Sequence, residues 1–572
     1  MRIRLTVCIL AALFCVGASA AEKTPVKPDL AAKTKAPAKP VVKTVAKAPA
    51  KPPAKNKVPA KKKPVIRPPQ WAPSGKSAPL KIGWARCDVS TDLPVLIPGG
   101  WTRPVSQGME DELTVTVLVI ENGYDGAIFV SADHLGAGFG HMICNVARKL
   151  DKSVPTIDKW IVSATHTHSG VLIGGPGRHG VPAGVPFDEK AEYRKFFLET
   201  TAQAVVRAWR SRAPGKVAWG YGYVVGGFSR RTIYRSVLPP KTDKRENYPP
   251  PPVLVGHGTM HGPNTPEFSH YEAGMDPIAN YLFNFDMNDK LTGAVINLST
   301  TAQFGHVKPG YLSADFWYEA RKALRKKFGD IDILPQCAAA GDITPGQQHY
   351  RAAQFRRLKL KYGDVSKDHI TRWRLDIADR LTESFSEVQE WASKDKRRIL
   401  PLAHTVITPE LEFARYSDED IAETKRRLAM VEALPPTEGM EPRERLREET
   451  YRATMRGKSG RIARTPEELQ KKPTGPATLH VVRLGNIAFA SNPFELFIDY
   501  MHRIQRQSPF EQTFIVQLSN MGGPHGGYLP TERAVANKGY SAEPYSYRTD
   551  PRGGATLVVE TLKELKRLKE LK

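Results

Sequence analysis

The chain has 572 residues, with 84 Lys+Arg against 59 Asp+Glu and a formal charge of +25. Apolar residues make up 41%, which excludes a wholly disordered chain, and five cysteines over this length exclude a disulfide-built scaffold. Residues 21–76 carry 15 basic and 2 acidic residues, so the body from 77 onward keeps only +10, too mild to mark a nucleic-acid protein.

Met1–Ala20 begins with Arg2 and Arg4, continues as an apolar run from Leu5 to Val16, and ends in Ala18-Ser19-Ala20. This is the pattern of a cleaved secretory signal, and the run is too short to span a membrane as a helix. Export is expected, to the periplasm, the envelope or the medium. Cleavage leaves Cys87, Cys144 and Cys337, an odd number, so at least one thiol stays unpaired. Residues 21–76 are mostly Ala, Lys, Pro, Val and Thr. Proline removes helix donors and the lysines repel one another, so a disordered, extended tether is expected. It serves either as a spacer or as an attachment to an anionic envelope surface.

From Leu80 onward apolar strands alternate with amphipathic helices. Strands are expected at Leu113–Ile120 and Ala127–Ala132, either side of Asn122-Gly123, with a helix over His134–Leu150 and a strand at Lys159–Ala164. A helix over Glu189–Arg212 ends at Ala213-Pro214. Strands at Tyr281–Asp286 and Gly293–Leu298, a helix at Ala314–Phe328 and a strand at Ile331–Gln336 follow. Thr478–Ala490 and Thr513–Leu518 read as two further strands, and Thr556–Lys572 as a last helix. The fold class is α/β: one large mixed-sheet domain, residues 77–572, with insertions. Lys241–Pro252 reads as a surface loop, and Tyr416–Lys472 as a helical, solvated excursion.

The sharpest local signal is Thr165-His166-Thr167-His168-Ser169-Gly170, where the strand ending at Ala164 opens into a Gly-rich loop through Gly174-Gly175-Pro176. Histidines at i and i+2 on a strand project to one face and can address one metal or one substrate. Two polar loop histidines bonded to backbone groups would give the same pattern. No G-x-S-x-G or phosphate-loop pattern is present.

These residues resemble a family. Thr-His-Thr-His-Ser-Gly after a strand is similar to the neutral, non-lysosomal ceramidases, which are zinc-dependent amidases. Ala340-Gly341-Asp342-Ile343-Thr344-Pro345 resembles the family's G-D-x-S-P loop, Asn492-Pro493-Phe494-Glu495 its zinc-glutamate segment, and Tyr528-Leu529-Pro530-Thr531 its zinc-tyrosine segment. Tyr540 falls where the family places a second active-site tyrosine, and Ser229-Arg230-Arg231 resembles an N-R motif.

The resemblance implies His166, Glu495 and Tyr528 as Zn2+ ligands, and His168, Arg230, Thr344 and Tyr540 as catalytic residues, with Arg231 close behind Arg230. It covers most of residues 80–560 and lacks the family's additional C-terminal β-domain. Two positions depart from the pattern. The family's second zinc histidine falls near Thr301, with His306 and His270 as reserves and His134 as another reserve position, and the family serine is Thr344. A threonine hydroxyl is a weak cation ligand, and its extra methyl narrows the rotamers.

The function these residues point to is hydrolysis of an N-acyl amide, such as a ceramide-like lipid, by metal-activated water. An inactive ligand-binding relative and an envelope-attached structural protein acting through its basic tail are the alternatives.

Overall fold

The computed structural model describes residues 67–99, 103–173, 188, 191–235, 258–260, 262, 264–305, 310–365 and 369–572. The expected signal, the tail to residue 66, the loop at Lys241–Pro252 and the reserve His306 lie outside these residues. Contacts within residues 65–572 form one compact unit. The ordered body starts earlier than residue 77: Trp71 packs edge-on against Trp209 at 5.6 Å, and the Ala72 N–H donates to the Tyr124 carbonyl.

Three sheets carry the architecture. The first runs Trp160–Ala164, Gly126–Ala132, Thr114–Glu121, Lys81–Asp88 and Ala213–Pro214. The second runs Asp332–Cys337, Leu291–Leu298, Ile278–Phe285 and Lys216–Tyr223, and the third runs Ser77–Pro79, Ile399–Ile407, Leu479–Leu484, Ile487–Ser491 and Gln512–Val516. Most neighbours are antiparallel, yet each sheet holds one parallel pair: 126–132 with 160–164, 291–298 with 332–337, and 487–491 with 512–516.

Each sheet is buried on both faces. Leu118, Phe129, Leu282, Val295, Leu402 and Phe489 meet in one central core shared by all three sheets. The opposite faces are covered by helices. Helix α1 (Gly140–Leu150) and α2 (Glu192–Arg210) cover the first sheet through Ile143, Phe197 and Val205. Helix α3 (Phe316–Phe328) covers the second, with α5 (His369–Ala392) beside it and α4 (Arg351–Tyr362) before it in the chain. The helical excursion forms α6 (Asp418–Glu432) and α7 (Pro442–Lys471). Helix α8 (Ile498–Gln507) and α10 (Pro551–Glu570) cover the third sheet, and the short α9 (Glu532–Asn537) lies between them in sequence. Burial on both faces explains why Val117–Ile120 and Ala127–Val130, inside Thr114–Glu121 and Gly126–Ala132, read as continuous apolar runs.

Several expected elements shift. Thr478–Ala490 is a hairpin rather than one strand, because Gly485, at φ 61°, turns the chain between Leu484 and Ile487. Helix α1 starts six residues later than expected, since Asp133–Phe139 is spent on the loop that approaches His166. All three body cysteines are buried and unpaired. Among the described residues, no helix is long and apolar enough to cross a membrane.

Candidate active site

The three parallel pairs bring their C-terminal ends to one pole, the position where α/β folds gather functional groups. Backbone hydrogen bonds stitch these ends together. Ala302 N–H donates to Thr165 O, Ala338 to Leu298 O, Gly341 to Leu496 O, Gln517 to Cys337 O, and Asn520 to Val162 O.

His166 sits two residues beyond its strand with φ 59°, a left-handed conformation costly for a non-glycine residue. The expectation that His166 and His168 share a strand face is therefore corrected: a loop brings their rings together, edge to face at 5.0 Å. His166 Nδ1–H donates to the Leu135 carbonyl at 2.7 Å, so Nε2 is the ring nitrogen presented to Glu495. Nε2 stands 3.5 Å from Glu495 Oε2. The Glu495 side chain keeps 19% of its surface exposed, so the pair lies at the bottom of an opening and not in a sealed core.

Glu495 and Tyr528 are register partners in a short parallel pair, Glu495–Leu496 with Tyr528–Leu529. Arg230 connects them to the resembled G-D loop. Its Nη2 donates to the Gly341 carbonyl at 2.7 Å and to the Tyr528 hydroxyl at 3.0 Å, and its backbone N–H donates to Asp342 O. Thr344 is buried in a two-residue strand whose partner, Phe228–Ser229, immediately precedes Arg230. Tyr540 meets Tyr528 edge to face at 5.7 Å. These contacts link the segments that carry His166, Arg230, Glu495, Tyr528 and Tyr540.

The neighbouring arginines separate cleanly. Arg231 is fully buried against Glu272, with contacts of 2.6 and 3.0 Å, and donates to the carbonyls of Ala534, Lys538 and Tyr540. It braces the fold, and Arg230 alone reaches Tyr528.

The electrostatics follow from burial and these contacts. Burial would raise Glu495, but His166, Arg230 and the Tyr528 hydroxyl hold it at about 2. Burial pushes Tyr528 well above an ordinary phenol, against the pull of Arg230. Burial, with His166 alongside, lowers His168 to about 3, so its imidazole is neutral.

Thr301 is buried on the segment clasped to Thr165 and His168 through Ala302. Its hydroxyl donates to Gln303 Oε1 at 3.3 Å. The reserve histidines lie elsewhere. His270 is exposed and bonded to Ser269. His134 is a core residue among Phe139, Phe197 and Tyr193, with Nδ1 on the Val171 carbonyl. Burial lowers His134 to about 4 from an ordinary value near 6.5. The unfolded chain then binds more protons below pH 6.5, and stability falls as pH falls toward 4. Between pH 7 and 5, urea unfolding should show the wild type losing about 2 kcal/mol more than His134→Phe.

Three positioning residues gave no sequence motif. Gln517 Oε1 accepts from Ala340 N–H and Leu496 N–H, tying the G-D loop to the glutamate strand. Asp133 holds Thr165 and is paired with Arg321. At Gly99, φ 103°, a Cβ would lie 2.7 Å from the His168 ring. Gly341 is constrained in the same way, since a Cβ there would lie 2.4 Å from the Glu495 carbonyl oxygen.

The solved structure of neutral ceramidase from Pseudomonas aeruginosa matches this chain with a TM-score of 0.57, covering 86% of this chain and 75% of that one at 16% identity. The fold is that of the neutral ceramidases. A second solved structure, described as a ceramidase complexed with C2, matches with a TM-score of 0.55 at 16% identity, over 86% of this chain and 76% of that one. At this identity the likeness to the ceramidases is one of fold. No protein-family model matches the chain, and no curated protein matches it in sequence.

The donor set has room for a cation. Two ligands on one tetrahedral zinc, each at 2.0–2.1 Å, stand roughly 3.4 Å apart, and His166 Nε2 and Glu495 Oε2 are 3.5 Å apart. The Tyr528 hydroxyl, on the register partner of Glu495, would be the third donor and the second oxygen. Among the described residues, no three His, Cys, Asp or Glu side chains form a metal-holding group. The set is thus two strong donors and a phenol.

Proposed function

We propose that this protein is an exported hydrolase of N-acyl amides, with a lipid amide as its substrate class. The observation that carries the reading is the convergence of His166, Glu495 and Tyr528, with Arg230 bonded to the tyrosine, at the pole where three parallel pairs end. His166, Glu495 and Tyr528 would hold a divalent ion. When bound, such an ion supplies a water acidified toward a pKa of about 7, a nucleophile at neutral pH.

The chain's own residues account for the rest of the reaction. The Leu135 carbonyl fixes the His166 ring, and Glu495 stays anionic at any working pH. Arg230 orients the Tyr528 hydroxyl and brings positive charge to the oxygen that turns negative as the amide carbonyl is attacked. His168, neutral and backed by Gly99, is suited to take the proton from the attacking water and return it to the leaving amine. Thr344 supplies a hydroxyl on the strand paired with Phe228–Ser229, and Tyr540 packs the Tyr528 ring. A cleft of about 270 Å3, lined by Phe228, Phe304, Pro345 and Trp373 among others, begins beside Thr344 and offers apolar surface to an acyl chain.

Export rests on the pattern of Met1–Ala20, and attachment to an anionic envelope surface on the lysines that follow. The test is turnover of ceramides and N-acyl amino compounds with and without chelator. The expected result is hydrolysis that chelator removes and added zinc restores. Chelator-insensitive turnover would overturn the metal assignment. Metal bound without turnover of any amide would favour the ligand-binding relative that Thr301 and Thr344 allow.

A further inference from the structure

Helix α7 and the chain around Phe413 and Arg548 enclose a second cavity, of about 610 Å3. This volume lies in the range of small-molecule sites, about 300–1,000 Å3. Its apolar wall includes Phe413, Ala414, Tyr416, Leu469 and Pro524. The wall is braced. Phe413 stacks on His525 at 4.6 Å, and His525 is clamped between Thr549 Oγ1 and the Gly475 carbonyl at 2.7 and 2.9 Å. Tyr416 donates to the Tyr547 carbonyl at 2.7 Å.

Around that wall stand five cations and one acid: Arg461, Arg464, Lys471, Lys472 and Arg548 against Glu468. Glu468 is paired with Arg464 at 3.6 Å. Among the described residues, no carboxylate lies within ion-pair distance of Arg461, Arg548, Lys471 or Lys472. Arg461 is fixed by neutral groups instead, donating to the Tyr416 hydroxyl at 2.8 Å and to the Pro544 carbonyl at 3.0 Å. Like charges held at the mouth of an apolar pocket repel one another and attract a counter-ion. Partial burial, followed by Arg461, pushes the Arg548 guanidinium down, the direction expected where positive charge is crowded. The groups are gathered in one concavity and not along a stripe, which fits a single head group better than a polymer. The surplus of positive charge excludes a metal ion.

We propose that this cavity binds an amphipathic anion, its head among Arg461, Arg548 and Lys472 and its apolar body on Phe413 and Leu469. The ligand chemistry is a carboxylate or phosphate on an acyl chain. It comes either as a free acyl anion or as the outer part of an anionic lipid in a bilayer. This site does not depend on the hydrolase reading. It is distinct from the His166–Glu495 opening, although its wall residue Tyr416 bonds Tyr547, which is bridged to Tyr528.

The experiment titrates full-length protein with decanoate by calorimetry, and with decanol as the uncharged control. Saturable binding of one decanoate per chain is expected, with decanol at least tenfold weaker. The double variant Arg548→Gln, Lys472→Gln, which touches exposed side chains, should weaken decanoate about tenfold or more, the loss of charge-assisted contacts. Leu469→Asp, an independent attack on the apolar wall, should weaken it as well. Co-sedimentation with phosphatidylcholine vesicles, with and without phosphatidylglycerol, then separates the sources. A loss of phosphatidylglycerol-dependent binding in the double variant assigns a bilayer lipid, and unchanged sedimentation with weakened decanoate assigns a free acyl anion. Decanoate binding that is absent, or equal in wild type and both variants, would overturn the proposal.

Discussion

Glu495→Gln is expected to lower hydrolysis of an N-acyl amide by about 10³-fold or more while the chain stays folded. The substitution keeps size and shape, so the parallel pairing of Glu495 with Tyr528 survives. What it removes is the negative charge that His166 and Arg230 hold ionised. A neutral amide is a poor partner for a cation, and buried Arg230 loses the attraction of the Glu495 charge. The effect should fall on kcat/KM, with far-ultraviolet circular dichroism unchanged. A variant retaining more than a tenth of wild-type kcat/KM would remove Glu495 from the reaction.

Asp133→Ala is expected to cost about 3–5 kcal/mol of stability, the range for breaking a buried ion pair. Asp133 Oδ2 accepts from Arg321 Nη1 at 2.6 Å and from the Thr114 N–H at 2.8 Å. Oδ1 accepts from Arg321 Nη2 at 3.0 Å and from Thr165 Oγ1 at 3.2 Å. Both charged partners are buried. Removing the carboxylate strands the guanidinium of Arg321 and frees Thr165, the residue before His166. Urea unfolding should show the loss, and the pair Asp133→Leu, Arg321→Met should recover most of it. A cost below about 1 kcal/mol for Asp133→Ala would mean that the pair does not anchor the loop.

The strands at 114–121 and 126–132 were legible because burial on both faces leaves a continuous apolar centre in each, Val117–Ile120 and Ala127–Val130, with Asn122-Gly123 marking the turn. The three-sheet arrangement was not, because its pairings are distant. Ile399–Ile407 pairs with Leu479–Leu484 across the whole of α6 and α7. Lys216–Tyr223 hid behind its glycines: Gly220 and Gly222 leave room for Trp391 and Ser384, so the apolar alternation of a strand is missing. Helix α5 carries an apolar stripe at helical spacing in Ile377, Leu381, Phe385 and Val388, which packs into the core of the second sheet.

At the site, the histidine, glutamate and tyrosine motifs were visible in order along the chain, whereas their convergence depends on strand ends meeting in space. Arg230 and Arg231 could not be told apart in sequence, because only packing decides which one reaches Tyr528 and which one Glu272. Gln517 and Gly99 act through backbone contacts, and such contacts leave no residue pattern.

We propose that His166, Glu495 and Tyr528 hold a divalent ion with Thr301, a weak cation ligand, as their neighbour. Metal analysis of the purified full-length protein tests this directly. About one equivalent of zinc or another divalent ion per chain is expected after zinc loading and desalting, lost in His166→Ala. A wild-type chain that holds no metal after loading, or a His166→Ala variant that keeps it, would show that these residues do not form the metal site.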